Sequence, residues 1–435
     1  MSDQSTPNDQ PSFRKPASWP LRIFGGIAII IVTAVFVTQV AAVFRPEGKP
    51  LNTLNPQGPN AQTIQTLVTP VFVVAGIIGI LVMAAVLYIA WRFRTRPDED
   101  EDEFNAQREG NTALELTWTA IPALILVGIG LGTVITIQDL EKRSPDALKV
   151  EVYAQQWWWG FKYDVDNNGS FTDRGDVNTA TELVIPTGRE IALEETSNDV
   201  IHSFWIPELN GKKDAVPGQF NSWKLQADQP GVYLGQCTEF CGLSHGNMRM
   251  LVRALSPSDF DAWLANQLQP AREPDPANTL AVEGKSVFTG QLCSSCHLIR
   301  GVNDEKVNDP EKGVKSQLVS GVAPELTHFA SRGMFAGAIY NAHYPNPAGN
   351  NQPLGRTCTE NDLSGCGDPA DVNLPGNPDN PFNSVAIQAW LRNPPAMKPM
   401  YVEQTQYTSK LRGMPNLGLS EQQIQQLTAY LESLR

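Results

Sequence analysis

The distribution of apolar and charged positions divides the chain into an apolar first third and a longer, mixed remainder. Three stretches contain no charged residue, at 23–44, 64–91 and 116–138. A helix needs about 20 apolar residues to cross a bilayer, and each stretch is long enough. The pattern therefore predicts an integral membrane protein, with a transmembrane helical hairpin over 64–139 and a further hydrophobic segment over 23–44.

The segment 23–44 allows two interpretations. It follows basic residues and ends near the small residues Ala41 and Ala42, a combination that is also typical of a signal peptide. Its length favours a retained, extra transmembrane helix, and no clean A-x-A cleavage site follows it. Both interpretations leave the two later helices in place.

Lysine and arginine predict the orientation of the helices. These residues are most frequent in the tail 1–22 and in the loop 92–112. The positive-inside rule places both segments in the cytoplasm. We therefore expect a multi-pass protein of a bacterial cell membrane, in which the chain after the hairpin lies on the outer, periplasmic or extracytoplasmic face.

An all-β domain is predicted after the hairpin, over 140–255. Short segments rich in β-branched and aromatic residues alternate there with Gly, Pro, Asn and Asp, a spacing that is typical of a sandwich. The loop DVDNNG at 164–169 begins like an EF-hand calcium loop, but its twelfth position is Gly175 instead of glutamate. We interpret this loop as a hairpin turn.

A helix and a linker are predicted over 256–278. Ser256 is expected to be the N-cap of the helix, with Pro257 at its first position. The Pro-rich, charged stretch 270–278 is typical of a linker.

The remainder of the chain, 279–435, opens and closes with helical patterns. Ser420 and Gln423 predict a capping box at the start of the last helix. Gly, Pro, Asn and Asp dominate 301–318 and 343–384, which indicates loops or an insertion.

Length and charge limit the size and the partners of the protein. The chain has 435 residues and a formal net charge of −13, and it has room for two or three domains at roughly 100–200 residues each. We expect membrane lipid as a partner and no nucleic acid. The six cysteines form three close pairs, Cys237/Cys241, Cys293/Cys296 and Cys358/Cys366.

The most specific motif is CSSCH at 293–297, which has the C-x-x-C-H pattern of c-type haem attachment. Cys293 and Cys296 would form two thioethers, and His297 would be an axial ligand of the iron. A disulfide or a zinc knuckle is the alternative, but neither requires a histidine directly after the second cysteine. The motif predicts an all-α cytochrome c domain with an insertion over 279–435.

The sixth ligand of such a haem would be a methionine or histidine further along the chain. Ligation by histidine and methionine raises the reduction potential and suits an electron carrier. Met414 is the preferred candidate, because GMPN lies in a loop just before the final helix. The competing methionines are Met334, Met397 and Met400, although most methionines simply fill gaps in cores.

The segment GQCTEFCGLSHGNM at 235–248 contains two cysteines, a histidine and a methionine, all of them soft metal ligands. The alternatives are a disulfide, a buried cysteine pair, and a zinc site completed by His202. Met248 favours copper, because a weak axial methionine is typical of electron-transfer copper. Two thiolates and two histidines exceed the needs of one mononuclear copper, so each thiolate could bridge two copper ions.

This C-x3-C-x3-H-x2-M segment, with HSFWIPEL upstream, resembles the dinuclear copper A site of cytochrome c oxidase subunit II. Three other stretches extend the resemblance over nearly the whole chain, namely LELTWTAIPALIL at 114–126, AQQWWWGFKYD at 154–164 and KKDAVPGQFN at 212–221. The trailing haem motif resembles the caa3-type variant, in which a cytochrome c is fused to this subunit. The resemblance implies N-terminal transmembrane helices, a cupredoxin-like sandwich and a C-terminal cytochrome c domain.

The resemblance also implies a set of metal ligands. The copper ligands would be His202, Cys237, the backbone carbonyl of Glu239, Cys241, His245 and Met248. The carboxylate of Glu239 would face a magnesium ion at the interface with subunit I. All six copper positions are filled, which argues against the quinol-oxidising relatives that have lost them.

Two further residues receive roles from the same resemblance. Trp157 would be the tryptophan through which electrons reach copper A, and Glu115 would stand at the mouth of a proton path into subunit I. Both have structural interpretations as well, because Trp favours membrane boundaries and a carboxylate is favoured at a helix N-terminus. Independently, Cys358 and Cys366 are expected to form a disulfide within the insertion.

The implied activity is that of subunit II of a haem–copper terminal oxidase, a cytochrome-c oxidase within a proton-translocating complex. Electrons from cytochrome c or a cytochrome bc complex would pass through haem c and copper A to subunit I. That subunit would hold haem a, haem a3 and copper B and reduce oxygen to water, and subunit III would complete the complex. The alternatives are an electron-transfer subunit of a nitric-oxide or nitrous-oxide reductase, and a membrane-anchored haem c carrier with structural zinc.

Overall fold

The computed structural model describes residues 51–93, 110–171, 176–304, 323–345, 376–401 and 412–435. The first two elements are long helices, α1 (Pro59–Arg92) and α2 (Thr112–Glu141). Both are long and apolar enough to cross a membrane, which confirms the predicted hairpin. The segment 23–44 lies outside the described residues.

The chain divides into two compact units. One contains the apolar middle of the hairpin, Leu67–Thr133, and the other contains Gly48–Thr66 and everything from Val134 onward. Large apolar side chains of the hairpin, such as Ile80, Leu81 and Leu124, are exposed in this chain. Exposed apolar surface of this length is expected where lipid or other membrane subunits cover a helix.

An all-β domain follows the hairpin, as predicted. Its strands are β1 (Leu148–Gln155), β2 (Trp158–Tyr163), β3 (Val177–Ala180), β4 (Glu182–Pro186), β5 (Ile191–Ser197), β6 (His202–Trp205), β7 (Lys212–Ala215), β8 (Asn221–Leu225), β9 (Gly231–Gln236) and β10 (Arg249–Leu255). One sheet has the order β3-β2-β1-β5-β8, a second has the order β4-β10-β9, and β6 and β7 pair with each other.

Alternating apolar residues of the larger sheet build the core of this domain. In the register of that sheet, Val152 of β1 lies opposite Phe161 of β2, and both are completely buried. Residues two apart on one strand share a face, so the same face also carries Val150, Ala154 and Trp159. This packed core holds the strands that carry the metal-ligating residues.

Local capping signals end and begin the helices as predicted. Helix α3 (Pro257–Gln267) has Ser256 as its N-cap, and the Ser256 side chain accepts a hydrogen bond from the backbone of Asp259. The last helix, α8 (Glu421–Ser433), starts with the capping box of Ser420 and Gln423. The loop at 164–169 is a turn between β2 and β3, in which the Asp164 carboxylate accepts hydrogen bonds from two backbone N–H groups.

The described part of the region after 279 contains helices and one short β-hairpin. Its further helices are α4 (Thr279–Gly290), α5 (Cys293–Cys296), α6 (Ser384–Arg392) and α7 (Pro394–Met397), and two short strands, β11 (Met334–Phe335) and β12 (Tyr340–Asn341), form a hairpin. Helices α4 and α8 cross closely, because a Cβ at Gly284 would lie 2.0 Å from the carbonyl oxygen of Gln426. The crossing is filled by Phe288 and Tyr430, whose ring centroids are 5.9 Å apart.

This helical region packs on the β domain. Val232 and Leu251 of the smaller sheet form one buried cluster with Met334 and Ala338. Polar contacts then fix the position: the backbone of Met334 donates to the Glu182 carboxylate at 2.7 Å, and the Arg249 backbone donates to the Gly337 carbonyl at 2.9 Å. The same Glu182 carboxylate is paired with Arg253, so a buried ion pair lies at the centre of the contact.

Candidate metal centre and adjoining cavity

Two free thiols lie at the centre of a cluster of soft donor atoms. The Sγ atoms of Cys237 and Cys241 are 3.8 Å apart, far longer than a disulfide bond of about 2.05 Å. Each thiol faces one imidazole, because Cys237 Sγ is 3.9 Å from His202 Nδ1 and Cys241 Sγ is 3.6 Å from His245 Nδ1. The Met248 thioether is 3.8 Å from Cys241 Sγ.

Local structure brings these atoms together. His202 begins β6, and the loop between β9 and β10 carries the other donors, with a short 3-10 turn over His245–Asn247. The Cys237 backbone donates to the Met248 carbonyl at 3.0 Å, which closes the base of this loop. The backbone carbonyl of Glu239 lies 3.4 Å from Cys237 Sγ, while the Glu239 side chain is exposed.

Four of the donor residues are buried, His245 is half-buried, and His202 is oriented by a second residue. His202 and Met248 are completely buried, and Cys237 and Cys241 are 1% and 2% exposed. His202 Nε2 is 2.9 Å from the Asp199 carboxylate, which leaves Nδ1 directed at the thiol. A carboxylate on the far nitrogen of a histidine is a common way of fixing a metal-ligating ring.

Hydrogen bonds within the cluster shift its protonation. A hydrogen bond from the Cys241 thiol lowers the pKa of Cys237 to about 4, and the same interaction raises the pKa of Cys241. Burial alone would lower the pKa of His202, but hydrogen bonds with Asp199 and Cys237 raise it above its ordinary value. The geometry therefore supports a thiolate, which is the form of cysteine that binds metal ions.

The donor set favours one of the metals considered from the sequence. The described geometry contains two thiols, two imidazoles, a backbone carbonyl and a thioether. Tetrahedral zinc needs only four nitrogen or sulfur ligands and has no use for the thioether. A weak methionine beside cysteine and histidine fits copper.

Trp157 lies directly over this cluster. Its ring nitrogen donates to the Cys241 carbonyl at 3.0 Å, and Gln156 Nε2 donates to the same oxygen at 2.7 Å. The Trp157 ring packs on Tyr401 with 5.1 Å between centroids, and only 2% of the residue is exposed. The structure thus places Trp157 against the backbone of one of the two central cysteines.

A largely apolar cavity of about 310 Å³ is lined in part by Trp157. Cys293, Cys296 and His297 all line it. His297 Nδ1 is 2.7 Å from the Pro324 carbonyl, and burial lowers the pKa of this histidine, which favours a neutral ring. Its Nε2 has no hydrogen-bond partner in the part of the chain that the structure describes. Two free thiols beside a neutral, oriented imidazole fit the attachment of a c-type haem.

Three methionines line this cavity: Met334, Met400 and Met414. The Met414 sulfur accepts a hydrogen bond from the Trp390 ring nitrogen at 3.2 Å. Met397 is not among the residues that line the cavity. Each ring nitrogen of His328 and His343 lies within 3.0 Å of a backbone carbonyl oxygen, so neither ring offers an unengaged nitrogen.

The structure gives less information on the remaining predicted residues. Glu115 is exposed in the first turn of α2. Cys358 and Cys366 lie outside the described residues.

Three residues with contacts to the sites were not predicted from the sequence. Asp199 and Gln156 have detectable signals, since each stands within three positions of a predicted site residue. Lys398 has none. It is buried between the cavity and Trp157, and it comes from a loop 241 positions away.

Comparisons with known proteins agree with this arrangement. Residues 148–255 match the periplasmic domain of cytochrome c oxidase subunit II, and residues 50–134 match the transmembrane domain of the same subunit. Cytochrome c oxidase subunit 2 of Alkalihalophilus pseudofirmus is 30% identical over 391 residues, which cover 88% of this chain and 91% of that protein.

Two other similarities are narrower. Quinol oxidase subunit 2 of Bacillus cereus is 30% identical over 266 residues, covering 60% of this chain and 87% of that protein. The crystal structure of the periplasmic domain of subunit II of cytochrome oxidase from Bradyrhizobium japonicum is 26% identical, with a TM-score of 0.26. The matched part covers 29% of this chain and 96% of the Bradyrhizobium japonicum chain.

Proposed function

Because the chain belongs to the family of cytochrome c oxidase subunit II, and so serves a haem–copper terminal oxidase, we propose that its thiol cluster is a dinuclear copper A centre. One observation carries the proposal: two free thiols 3.8 Å apart each face their own imidazole. Such pairing suits two metal ions bridged by two thiolates. A single tetrahedral zinc ion does not require it.

The ligands would be the six positions named from the sequence. Two copper ions bound there would supply a one-electron centre whose charge change is shared between both metals. The protein contributes a packed, largely buried frame, since the core of the β domain holds β6 and the ligand loop while Asp199 orients the ring of His202. A frame that moves little between oxidation states keeps the reorganisation energy of electron transfer small.

The cavity is proposed to hold haem c through Cys293, Cys296 and His297, with Met414 as the sixth ligand. Haem bound there would supply a second one-electron centre, reduced by a donor such as cytochrome c or a cytochrome bc complex. Trp157 contacts both places, because it lines the cavity and donates to the Cys241 carbonyl at 3.0 Å. We propose that Trp157 provides the route between the two centres.

Partners and orientation follow from the family. We propose subunits I and III as partners, with the electrons of copper A passing to haem a and the haem a3–copper B site of subunit I. The Glu239 carboxylate, exposed in this chain, would face magnesium at that interface, and Glu115 would open the proton path. The β domain and the helical region would lie on the outer face of the membrane.

The relatives include a quinol oxidase subunit, so sequence identity alone does not show whether the electron donor is a cytochrome or a quinol. The complete donor set favours a cytochrome c oxidase. Electron paramagnetic resonance of the full chain, purified with counts of copper, zinc and iron, tests the proposal. Hyperfine splitting shared equally by two copper nuclei, together with a haem that stays covalently attached after denaturation, is the expected result.

Other outcomes would select the alternatives. A copper signal confined to one nucleus would require a different ligand set. Zinc without copper, after reconstitution in the presence of both metals, would leave an anchored haem c carrier. If the two-copper signal came from a complex that reduces nitric or nitrous oxide and not oxygen, the protein would be a subunit of a reductase instead.

A further inference from the structure

A buried lysine lies at the junction between the thiol cluster and the cavity. Lys398 is 3% exposed, and it lies in the short segment between α7 and Tyr401. Its Nζ donates to the Trp157 carbonyl at 2.7 Å and to the Ala336 carbonyl at 2.8 Å. One cation thus joins the backbone of the β domain to a loop of the helical region.

The backbone around Lys398 is shaped for this contact. Gly337 has a φ of +78°, and a Cβ at that position would lie 2.7 Å from Lys398 Nζ and 2.8 Å from the Trp157 carbonyl oxygen. Only glycine avoids both the strain of the positive φ and the collision with the ammonium. The neighbouring segment is also anchored, because Ser244 donates to the Pro399 carbonyl at 2.5 Å.

The third N–H of Lys398 has no acceptor among the described residues. Lys398 lines the cavity, whose described lining contains no carboxylate. The other cation of the lining, Arg332, is already paired with the buried Glu325 carboxylate at 3.3 Å. An apolar cavity that is lined by an ammonium without a carboxylate partner among the described residues suits a planar, apolar group that carries carboxylates.

We propose that Lys398 is the positioning residue of this junction: its ammonium binds a carboxylate of the haem while it holds the Trp157 and Ala336 carbonyls. This inference rests on the proposed function, because it requires haem in the cavity. Lys398 then continues the hydrogen-bonded connection from Trp157, whose ring nitrogen donates to the Cys241 carbonyl at 3.0 Å. Hydrogen bonds then connect the haem carboxylate, through Lys398 and Trp157, to the backbone of the copper ligand Cys241.

The test compares variants of the full chain that carry both centres. Lys398→Met removes the charge and all donors, whereas Lys398→Arg keeps the charge. Arg300→Met is the matched control, since Arg300 donates to the Asp176 carbonyl of the β domain at 2.6 Å but does not line the haem cavity. The measurements are the haem reduction potential and the rate of electron transfer to copper after flash photoreduction of the haem.

Lys398→Met should lower the haem potential, because a cation beside a haem carboxylate stabilises the reduced, less positive state. It should also slow electron transfer by roughly ten- to a hundredfold, as expected for a misplaced reacting group. Lys398→Arg should retain most of the potential, and Arg300→Met should change neither quantity. Lys398→Gln, which has amide donors but no charge, should keep more of the rate than Lys398→Met while lowering the potential equally.

The proposal is overturned if Lys398→Met leaves potential and rate unchanged, or if Arg300→Met changes both as strongly. If Lys398→Met does not incorporate haem, the same comparison is made between Lys398→Gln and Lys398→Arg, and equal potentials would overturn the carboxylate contact. A wild-type chain without covalent haem or without the two-copper signal would instead overturn the proposed function itself.

Discussion

Asp199 lies outside the proposed ligand set but orients one member of it, His202. Its carboxylate accepts a hydrogen bond from the Gln156 backbone at 2.9 Å and lies 2.9 Å from His202 Nε2. Arg412 pairs with the same carboxylate at 3.4 Å. The charge of Asp199 is thereby held in place, and it fixes both the tautomer and the direction of the His202 ring.

Asp199→Asn is therefore expected to weaken copper binding by about 10- to 100-fold, the usual cost of losing such a partner. The amide keeps the size of the side chain but removes the charge that favours His202 as a donor. Competition with a copper chelator measures the affinity. Asp228→Asn, at an exposed position of the same domain, is the control, and equal weakening by both substitutions would contradict the assigned role.

Glu195 is a buried carboxylate in the core of the β domain. It lies on β5 opposite Val152, it is completely buried, and neither oxygen has a hydrogen-bond partner in the described part of the chain. Burial raises the pKa of Glu195 well above 4.5. The folded chain therefore keeps this proton at pH values where the unfolded chain has lost it.

The sign of the pH dependence follows from that difference. Between about pH 4.5 and the raised folded pKa, the unfolded state binds fewer protons, so Glu195 lowers the free energy of unfolding as the pH rises. Glu195→Gln should be more stable than the wild type at neutral pH by about 1–3 kcal/mol. The gain should disappear below about pH 4.5 in thermal or urea unfolding. Glu194→Gln, the half-buried neighbour, should show no such trend, and a pH-independent gain for Glu195→Gln would contradict the explanation.

The proposed metal ligands are easier to recognise in the sequence than the residues that support them. Five of the six proposed ligands lie within 237–248, and their spacing is visible without a structure. Asp199 lies three positions before His202, so its nearness to the site is visible in the sequence, although its contact with the ring depends on the local fold. Lys398 contacts Trp157 from 241 positions away. Its role depends on which loops meet, and no local pattern encodes that meeting.

At the scale of single elements, the crossing of α4 and α8 depends on one glycine. A Cβ at Gly284 would lie 2.0 Å from the Gln426 carbonyl oxygen and 2.8 Å from the Tyr430 Cβ. Neither neighbour is the flexible end of a side chain. The two helices would have to move apart to admit even a methyl group.

Gly284→Ala should therefore destabilise the helical region by about 1–3 kcal/mol, the usual cost of overpacking. Gly290→Ala is the matched control in the same helix, where a Cβ would meet nothing within 4 Å. That substitution should be neutral, or stabilising by up to about 1 kcal/mol, because alanine favours helix over glycine. Thermal unfolding followed by haem absorbance measures both, and equal stability of the two variants would contradict the close crossing.

Element ends were predictable because their signals are local. Ser256, Ser420 and Gln423 cap helices where the sequence indicated. The order of the strands was not predicted, since β1 pairs in parallel with β5 and β4 in parallel with β10 across long stretches of chain. Such pairing is decided by the packing of whole faces, which periodicity alone does not determine.

At the scale of the whole molecule, the helical region covers the residue through which electrons are proposed to reach copper. Trp157 is 2% exposed, beneath Tyr401 and beside Gly337. Truncation after Gln269 removes this cover and should accelerate the direct reduction of copper by a small external electron donor. Stopped-flow kinetics of the truncated and full-length chains measure the rates. In the full-length chain the haem is kept oxidised, so that only direct reduction of copper is measured. If copper were then reduced equally fast in both chains, the helical region would not control the access of the donor to copper.

The contact between the helical region and the β domain also has a kinetic consequence. Its buried ion pair, its main-chain hydrogen bonds and Lys398 hold the two parts in one arrangement instead of leaving the cavity on a tether. A tethered carrier must find its acceptor by diffusion, and its rate falls in viscous solution and varies with salt. In this chain the two proposed centres are already held next to each other once the chain has folded, so no diffusion is needed. The transfer between the two centres would then be a first-order process, indifferent to glycerol and to ionic strength, and only the arrival of the outside donor would remain sensitive to both.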